Sequence, residues 1–445
     1  MSDISTSNQP VLRVAVNVPL SREFDYLPPA NTPLPAAGCR VVVPFGARQQ
    51  VGVVLGHSAA SALPTGKLRR CSAILDEKPL LPEAELRLIR FTTDYYHHPI
   101  GEVVAAAMPA ILRQGKPLHP VVEVIVATEE GSAADIESLA KRAPRQAELL
   151  ETLVDAGGGG AEADELTELL PNWRRVAKAL FEKGLITRFN ARSADFDETL
   201  APAAEPGPVL NDDQQAAITA LRSSDTFGAW LIEGVTGSGK TEVYLQRMRE
   251  IIDKGQQVLV LVPEIGLTPQ LVTRLRKRLG IEPALLHSSL SDTQRLAAWR
   301  AARSGAARLV VGTRSAVFTP LKNPGLIVVD EEHDHSFKQQ EGLRYSARDL
   351  AIVRAKHLDI PVILGTATPT LEMLHHCRNG NYEHLRLPRR AGGAKPPAVH
   401  LVDTTKAPAT DGVSEPLAEA IRSHLDGGGQ ALIFLNRRGF APTLI

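Results

Sequence analysis

AWLIEGVTGSGKTEVYLQRMREIID (Ala229–Asp253) passes from an apolar run through a glycine-rich turn into a helical pattern. Strand, loop and helix in that order are the setting in which G-x4-G-K-[ST] holds nucleotide phosphates. Gly234, Gly237 and Gly239 let the backbone curl, so that the N–H groups of Val235, Thr236, Ser238 and their neighbours converge on an anion. The helix N-terminus behind them adds its dipole. Lys240 is expected to reach the β- and γ-phosphates, and the Thr241 hydroxyl to ligate Mg²⁺. The stretch therefore predicts ATP or GTP binding; the plainer alternative is a glycine-rich turn that holds nothing.

Outward from this point the chain is a regular βα alternation. After Leu210, apolar runs recur at LVLVP, ARLVVGT, GLIVVDEE and PVILGTATP with helical stretches between them. Near-continuous apolar strands between helices predict a parallel sheet covered on both faces, with ligands at the carboxyl ends of the strands. LIVV delivers Asp330-Glu331-Glu332-His333 about ninety residues after the glycine-rich turn. Asp330 is expected to hold Mg²⁺, and Glu331 to orient and deprotonate the attacking water. Taken alone DEEH could be a solvated strand end. Zinc on His333 and His335 is rejected, because two i,i+2 histidines without a third ligand make no site.

The chain has 445 residues, enough for two to four domains. Cys39, Cys71 and Cys377 lie far apart and form no CxxC pair, which argues against a disulfide framework or a structural zinc within this chain. MSDISTSNQP lacks a charged and apolar leader, and no apolar run approaches a membrane span. A soluble, reducing, cytoplasmic setting without a membrane partner is the expectation. The formal net charge is +0, yet Glu129–Leu170 carries about eleven acidic against three basic residues. The flanking parts are correspondingly basic, so a nucleic-acid partner stays open.

Residues 1–115 read as a small β-rich domain with dense turn punctuation, followed by the helical ELRLIRFTTDYYHH. Phe24-Asp25-Tyr26 and Pro44-Phe45-Gly46 put aromatic faces beside a carboxylate and a glycine. Such a set can stack a base and bind a sugar hydroxyl; filling the core of a small barrel is the plainer reading, and the residues alone favour it. Asp94–Pro99 reads as a helix end, since adjacent histidines on a helix diverge. Residues 116–192 read as short helices closing on a strand-like tail, a winged-helix-like pattern. Its acidic character leaves DNA binding and a spacer or protein-contact role equally open. Gly157–Gly160 marks a flexible loop, residues 193–208 a linker, 209–392 an ATP-binding RecA-like lobe, and 393–445 the start of a second. The expected class is multidomain α/β: a RecA-like P-loop parallel-sheet helicase lobe preceded by a β-rich DNA-binding domain and a winged-helix-like domain.

Further strings resemble superfamily 2 helicases, and within them the primosomal protein N′ (PriA) family of replication-restart helicases. They are FDYLPP, CRVVVPFG, YYHHPIGEVV, ILRQGKP, EGVTGSGKTEVY, LVPEIGLTPQ, VGTRSAVFTP, VDEEHD, SFKQQEGLRYSARDLA, LGTATPTLE and FLNRRGFAP, in family order across almost the whole chain. The resemblance implies an ATP-dependent 3′→5′ DNA helicase that recognises stalled or abandoned forks and initiates restart by primosome assembly. The alternative is a fork-recognition and loading platform with ATP as a switch.

Implied partners are forked and single-stranded DNA, single-stranded DNA-binding protein, and primosome and replicative-helicase loading proteins. By resemblance, Gln214 reads adenine, and Thr313-Arg314-Ser315 touches the DNA backbone. His333 with Thr366 and Thr368 couples the phosphate site to DNA. Phe337, Lys338, Gln339 and Tyr345 form a loop that senses single-stranded DNA. Phe24, Asp25, Tyr26 and Gly46 match a pocket for a nascent 3′ end, with Arg69 where the family often has lysine. Family members continue past NRRGFAP into a Cys-rich stretch binding two zinc ions and a second lobe carrying catalytic arginines. The expectation is an N-terminal portion of a longer protein, with no zinc ligands in this chain and low turnover on its own.

Overall fold

Near-continuous apolar runs rich in valine, VLRVAV and RVVVPF, start the chain as an antiparallel sheet. The computed structural model describes residues 10–192, 196–390, 398–407, 409–410 and 412–434. In it β1 (Val11–Val16), β2 (Phe24–Tyr26), β3 (Arg40–Phe45), β4 (Arg48–Ser58) and β5 (Ala73–Ile74) align in the order β2-β1-β4-β3-β5. Leu12, Val14, Tyr26, Val41, Val43 and Val54 make its small core. Then come α1 (Glu83–Tyr96), α2 (Ile100–Ala106) and the single turn α3 (Ala110–Arg113). A left-handed His97 stops α1, so Tyr95–His98 is a helix end.

The next module holds β6 (Val121–Ala127), α4 (Glu129–Ser132), α5 (Ile136–Arg142), α6 (Pro144–Asp155), β7 (Ala161–Glu162), α7 (Ala163–Leu169), α8 (Trp173–Glu182) and β8 (Ile186–Arg192). Here the structure departs from the expected run of helices. VVEVIVA is a strand, paired antiparallel with β8 from Val121↔Arg192 to Ala127↔Ile186. Its β-branched run suits a pleated surface better than a helix. Ile125, Leu149, Leu153, Leu166, Trp173 and Leu180 give the module a core of its own.

After the linker, Asn211 caps α9 (Asp212–Leu221). The lobe then follows as β9 (Ala229–Gly234), α10 (Lys240–Asp253), β10 (Gln257–Leu261), α11 (Pro269–Leu279), β11 (Ala284–Leu286), α12 (Asp292–Ser304), β12 (Leu309–Gly312), β13 (Pro324–Asp330), α13 (Ala347–Leu358), β14 (Val362–Thr366), α14 (Leu371–Arg378) and β15 (Glu383–Leu387). The seven strands are parallel, in the order β11-β12-β10-β13-β14-β9-β15. β11 and β15 are edge strands that the sequence pattern did not single out. Register sets Asp330 opposite Gly365 and Thr366 opposite Glu233, so three strand ends meet at one edge of the sheet.

The N-terminal helices are built into this lobe. Leu86, Ile89, Val103 and Ile111 share one apolar cluster with Trp299, Phe318 and Leu350. The Trp299 indole donates to the Ala107 carbonyl (3.2 Å). Arg354 donates to Glu85 (3.0 Å) and to the Val317 and Thr319 carbonyls. Burial raises the Glu85 pKa and lowers that of Arg354, each the largest influence on its group. Removing one partner of a pair so buried costs about 3–5 kcal/mol, because the other is left charged and unmatched.

Residues 392–445 form a separate unit. In it β16 (Ala409–Thr410) pairs with β17 (Val413–Ser414) and leads into α15 (Glu415–Asp426). The FLNRRGFAP string lies almost entirely outside the described residues. No helix among the described residues is long and apolar enough to cross a membrane.

Candidate active site

The turn between β9 and α10 shows why its glycines are there. Gly237 and Gly239 have φ of 78° and 81°, a region that favours glycine. A Cβ on Gly239 would also come within 2.2 Å of Gln214 Nε2. Lys240 is buried and its ammonium donates to the Gly234 carbonyl (2.9 Å), closing the loop on itself. The Ser238 hydroxyl is buried without a hydrogen-bond partner. Gln214 is occupied at both ends. Its oxygen accepts from Asn211 N (2.9 Å) and its amide donates to the Ser238 carbonyl (2.9 Å). In this conformation it caps α9 and braces the loop, instead of presenting its amide to a base.

Asp330 stands at the end of β13, beside this loop. Burial, reinforced by Glu331, pushes its carboxyl up to about 6, with Lys240 and Tyr244 opposing. Tyr244, one turn into α10, is fully buried against it. Burial and the Asp330 and Glu331 charges hold the phenol well above its ordinary pKa. Its hydroxyl occupies the space of a side chain at Gly365, where a Cβ would fall 1.5 Å from it. Glu331 has a left-handed φ of 50°, which re-aims its side chain after the strand. A non-glycine residue in that region costs about 1–3 kcal/mol, a strain that functional sites retain.

The neighbouring residues tie strand ends together. His333 Nδ1 meets Thr366 Oγ1 (2.8 Å), and Thr368 N donates to the same oxygen (3.0 Å). Glu332, fully buried, accepts from Arg348 (3.0 Å) and from Thr370 N (3.0 Å). The sequence offered no sign that the third carboxylate, Glu332, is bracing while Asp330 and Glu331 line a cleft. Thr236–Glu242, Leu245, Asp330 and Glu331 line that cleft, of ≈ 530 Å³, together with Pro208, Arg274 and Arg278. The last three were not anticipated. The set fits a magnesium nucleotide: an N–H cradle, a cation resting on a neutral carbonyl, an orphan hydroxyl and an ionisable carboxyl.

The loop after β13 differs from its expected role. Phe337 and Tyr345 are 2% and 4% exposed, packed into the apolar core of the lobe, so their rings offer no face to a base in this conformation. Hydrophobic burial won over the exposed position that stacking requires. Burial raises the Tyr345 pKa, with Arg314 opposing. Arg314 donates to the Ser336 carbonyl (3.0 Å) and fastens the loop, whereas Thr313 N donates to the Leu286 carbonyl (3.0 Å) and joins the ends of β12 and β11. His335, Lys338, Gln340, Glu341 and Arg344 are exposed, and Gln339 is half-buried. Ser346 N donates to the Tyr96 hydroxyl (3.1 Å), joining this loop to α1.

At the N-terminal sheet the five expected residues come together. Phe24 meets Phe45 edge-on at 5.1 Å. Arg69 donates to the carbonyl of Gly46 (3.2 Å), which sits at φ 60° in the β3–β4 turn. Asp25 accepts from Ser61 Oγ (2.5 Å) and stays half-exposed. Tyr26 is buried, donating to the Pro44 carbonyl (3.2 Å). Burial is the main cause of its raised pKa. Its ring is core; Phe24, Asp25 and Arg69 are the accessible part.

Sheet order, glycine-rich loop and the Asp330–Glu331 strand end together define a RecA-like helicase lobe, joined to a small antiparallel β domain. Comparison with known families agrees. The 3′DNA-binding domain (3′BD) family matches residues 13–109, and the DEAD/DEAH box helicase family matches residues 211–376. Replication restart protein PriA of Haemophilus influenzae is 41% identical over 98% of this chain and 60% of its own length. That of Bacillus subtilis is 32% identical over 100% of this chain and 62% of its own length. A solved structure of RecG bound to a three-way DNA junction is 20% identical over 50% of this chain and 29% of that one. Its TM-score is 0.33. The chain belongs to the PriA family of replication restart proteins. It spans about 60% of the length of these relatives.

Proposed function

We propose that this chain carries the fork-recognition and ATP-binding parts of a 3′→5′ DNA helicase that acts at abandoned replication forks. The supporting observation is that the Phe24, Asp25 and Arg69 cluster and the Lys240–Asp330 cleft occur in one unit, with α1–α3 and the lobe sharing a core. The bound nucleotide would supply the free energy of phosphoryl transfer. The N–H groups of Gly237–Thr241 cradle its phosphates, and Lys240 leaves the Gly234 carbonyl to neutralise their charge. Asp330 and Thr241 hold the magnesium ion, and Glu331 orients water. At the other site Asp25 accepts a hydrogen bond from a terminal 3′-OH, a donor that an internal nucleotide lacks, while Phe24 offers a ring face. His333, Thr366 and Thr368, hydrogen-bonded across the ends of β13 and β14, couple the phosphate site to DNA. Assembly with primosome and replicative-helicase loading proteins belongs to the same reading.

Fork DNA ending in a 3′-OH, compared with the same fork ending in a 3′-phosphate, tests it. The hydroxyl end is expected to bind about tenfold tighter or more, from a hydrogen bond to a charged acceptor. Asp25→Ala should erase that difference. Equal affinity for both ends in the unmodified chain would sink the 3′-end reading. ATP turnover with and without the fork separates a motor from a platform: fork binding without stimulated turnover marks the second.

A further inference from the structure

The nucleotide cleft has unlike walls. Asp330 and Glu331 close it on the sheet side, whereas Pro208, Leu245, Arg274 and Arg278 belong to the linker and to helices off the sheet. A triphosphate lying on the glycine-rich loop must turn its terminal phosphate toward Asp330 and Glu331, because water is activated there. The base then lies on the opposite side, over the first turns of α10. Gln214, the residue the family resemblance assigns to the base, has its amide committed to Asn211 and Ser238.

α11 carries a dense run of cations, and all but one are held. Arg276 pairs with Glu282, and Lys277 with Glu205 at 3.5 Å. Arg278 pairs with Glu242 and donates to the Glu205 carbonyl (3.0 Å). Arg274 is exposed, lines the cleft, and among the described residues has no ion-pair or hydrogen-bond partner. The contacts of Arg278 and Lys277 with Glu205 also dock the linker here, bringing Pro208 to the same wall. A planar guanidinium and a proline ring are both suited to lie against a flat aromatic base, and the cation adds attraction to its π-face.

We propose that Arg274 stacks on the base of the bound nucleotide, with Pro208 of the linker against it, and that this contact supplies much of the base's share of affinity. The inference rests on the reading of the cleft as a nucleotide site. The test is calorimetric titration of the whole chain with MgADP and, separately, with magnesium tripolyphosphate, which has no base. Arg274→Ala is expected to weaken MgADP about tenfold and to leave tripolyphosphate unchanged. Arg274→Lys, which keeps the charge without the plane, should recover only part of the loss. Arg274 is exposed and unpartnered, so thermal unfolding serves as the folding control and should not move. Unchanged MgADP affinity in Arg274→Ala would overturn the proposal, and so would an equal loss for both ligands, which marks a phosphate contact. Failure of the unmodified chain to bind either ligand would instead remove the nucleotide reading itself.

Discussion

The glycine-rich loop and the loop between β13 and α13 both resemble ligand-binding motifs, and the structure treats them differently. The first works mainly through its backbone. Gly237 and Gly239 take a conformation open to glycine, and Lys240 rests on a neutral carbonyl from which a phosphate can draw it. The second was expected to work through ring faces, yet Phe337 and Tyr345 are buried and only its polar side chains reach solvent. Backbone-borne chemistry is written in residue type and spacing. A side-chain face depends on which way packing turns it.

The sharpest way to break this comparison is Phe337→Ala. A core ring is expected to cost about 3–5 kcal/mol of stability in urea unfolding. A stacking residue at the surface would leave stability intact and weaken single-stranded DNA instead, and that result would reverse the contrast.

Asp330 tests the other side. Its folded pKa of about 6 lies above the ordinary 3.8. The folded state therefore binds the proton more tightly than the unfolded chain does. Stability linked to this group is fully present below about pH 4 and lost as pH rises through about 6. Two units at 1.36 kcal/mol each make the cost on the order of 2–3 kcal/mol at neutral pH. Asp330→Asn should accordingly stabilise the nucleotide-free protein near pH 7 and not near pH 4. Paired melting curves at the two pH values measure it, and equal gains at both would mean the carboxyl is not strained by burial.

Lys240→Ala should weaken magnesium nucleotide about 10–100-fold in calorimetry, the worth of a charge-assisted contact. A smaller change would mean that the backbone cradle suffices. The smallest effect belongs to the exposed cations of the second loop. Lys338→Ala and Arg344→Ala should each reduce the salt dependence of single-stranded DNA binding by roughly one unit of slope. An unaltered slope would say that this loop faces away from DNA.

Much of the candidate site is legible in the sequence. Gly234–Thr241 and Asp330-Glu331 stood out because phosphate and magnesium chemistry demand those residue types, and apolar strands must deliver them to one edge of the sheet. Less legible were the residues whose identity is ordinary. Nothing marks Glu332 as the braced carboxylate, Tyr244 as the phenol packed under Gly365, or Arg274 as the unheld cation in an arginine-rich helix. The strand Val121–Ala127 was legible in its β-branched run, but the helical patterns that follow it dominate the module and its partner β8 lies at the far end.

By itself the sequence determined the class of the lobe, the glycine-rich turn and the acidic strand end, because each is a local pattern with a chemical reason. Tertiary structure alone decided which aromatics are core, that Gln214 braces the glycine-rich loop through the Ser238 carbonyl, and that α1–α3 share the core of the lobe. Burial and partnership depend on residues hundreds of positions apart, as Glu85 and Arg354 are, and no local pattern carries that information.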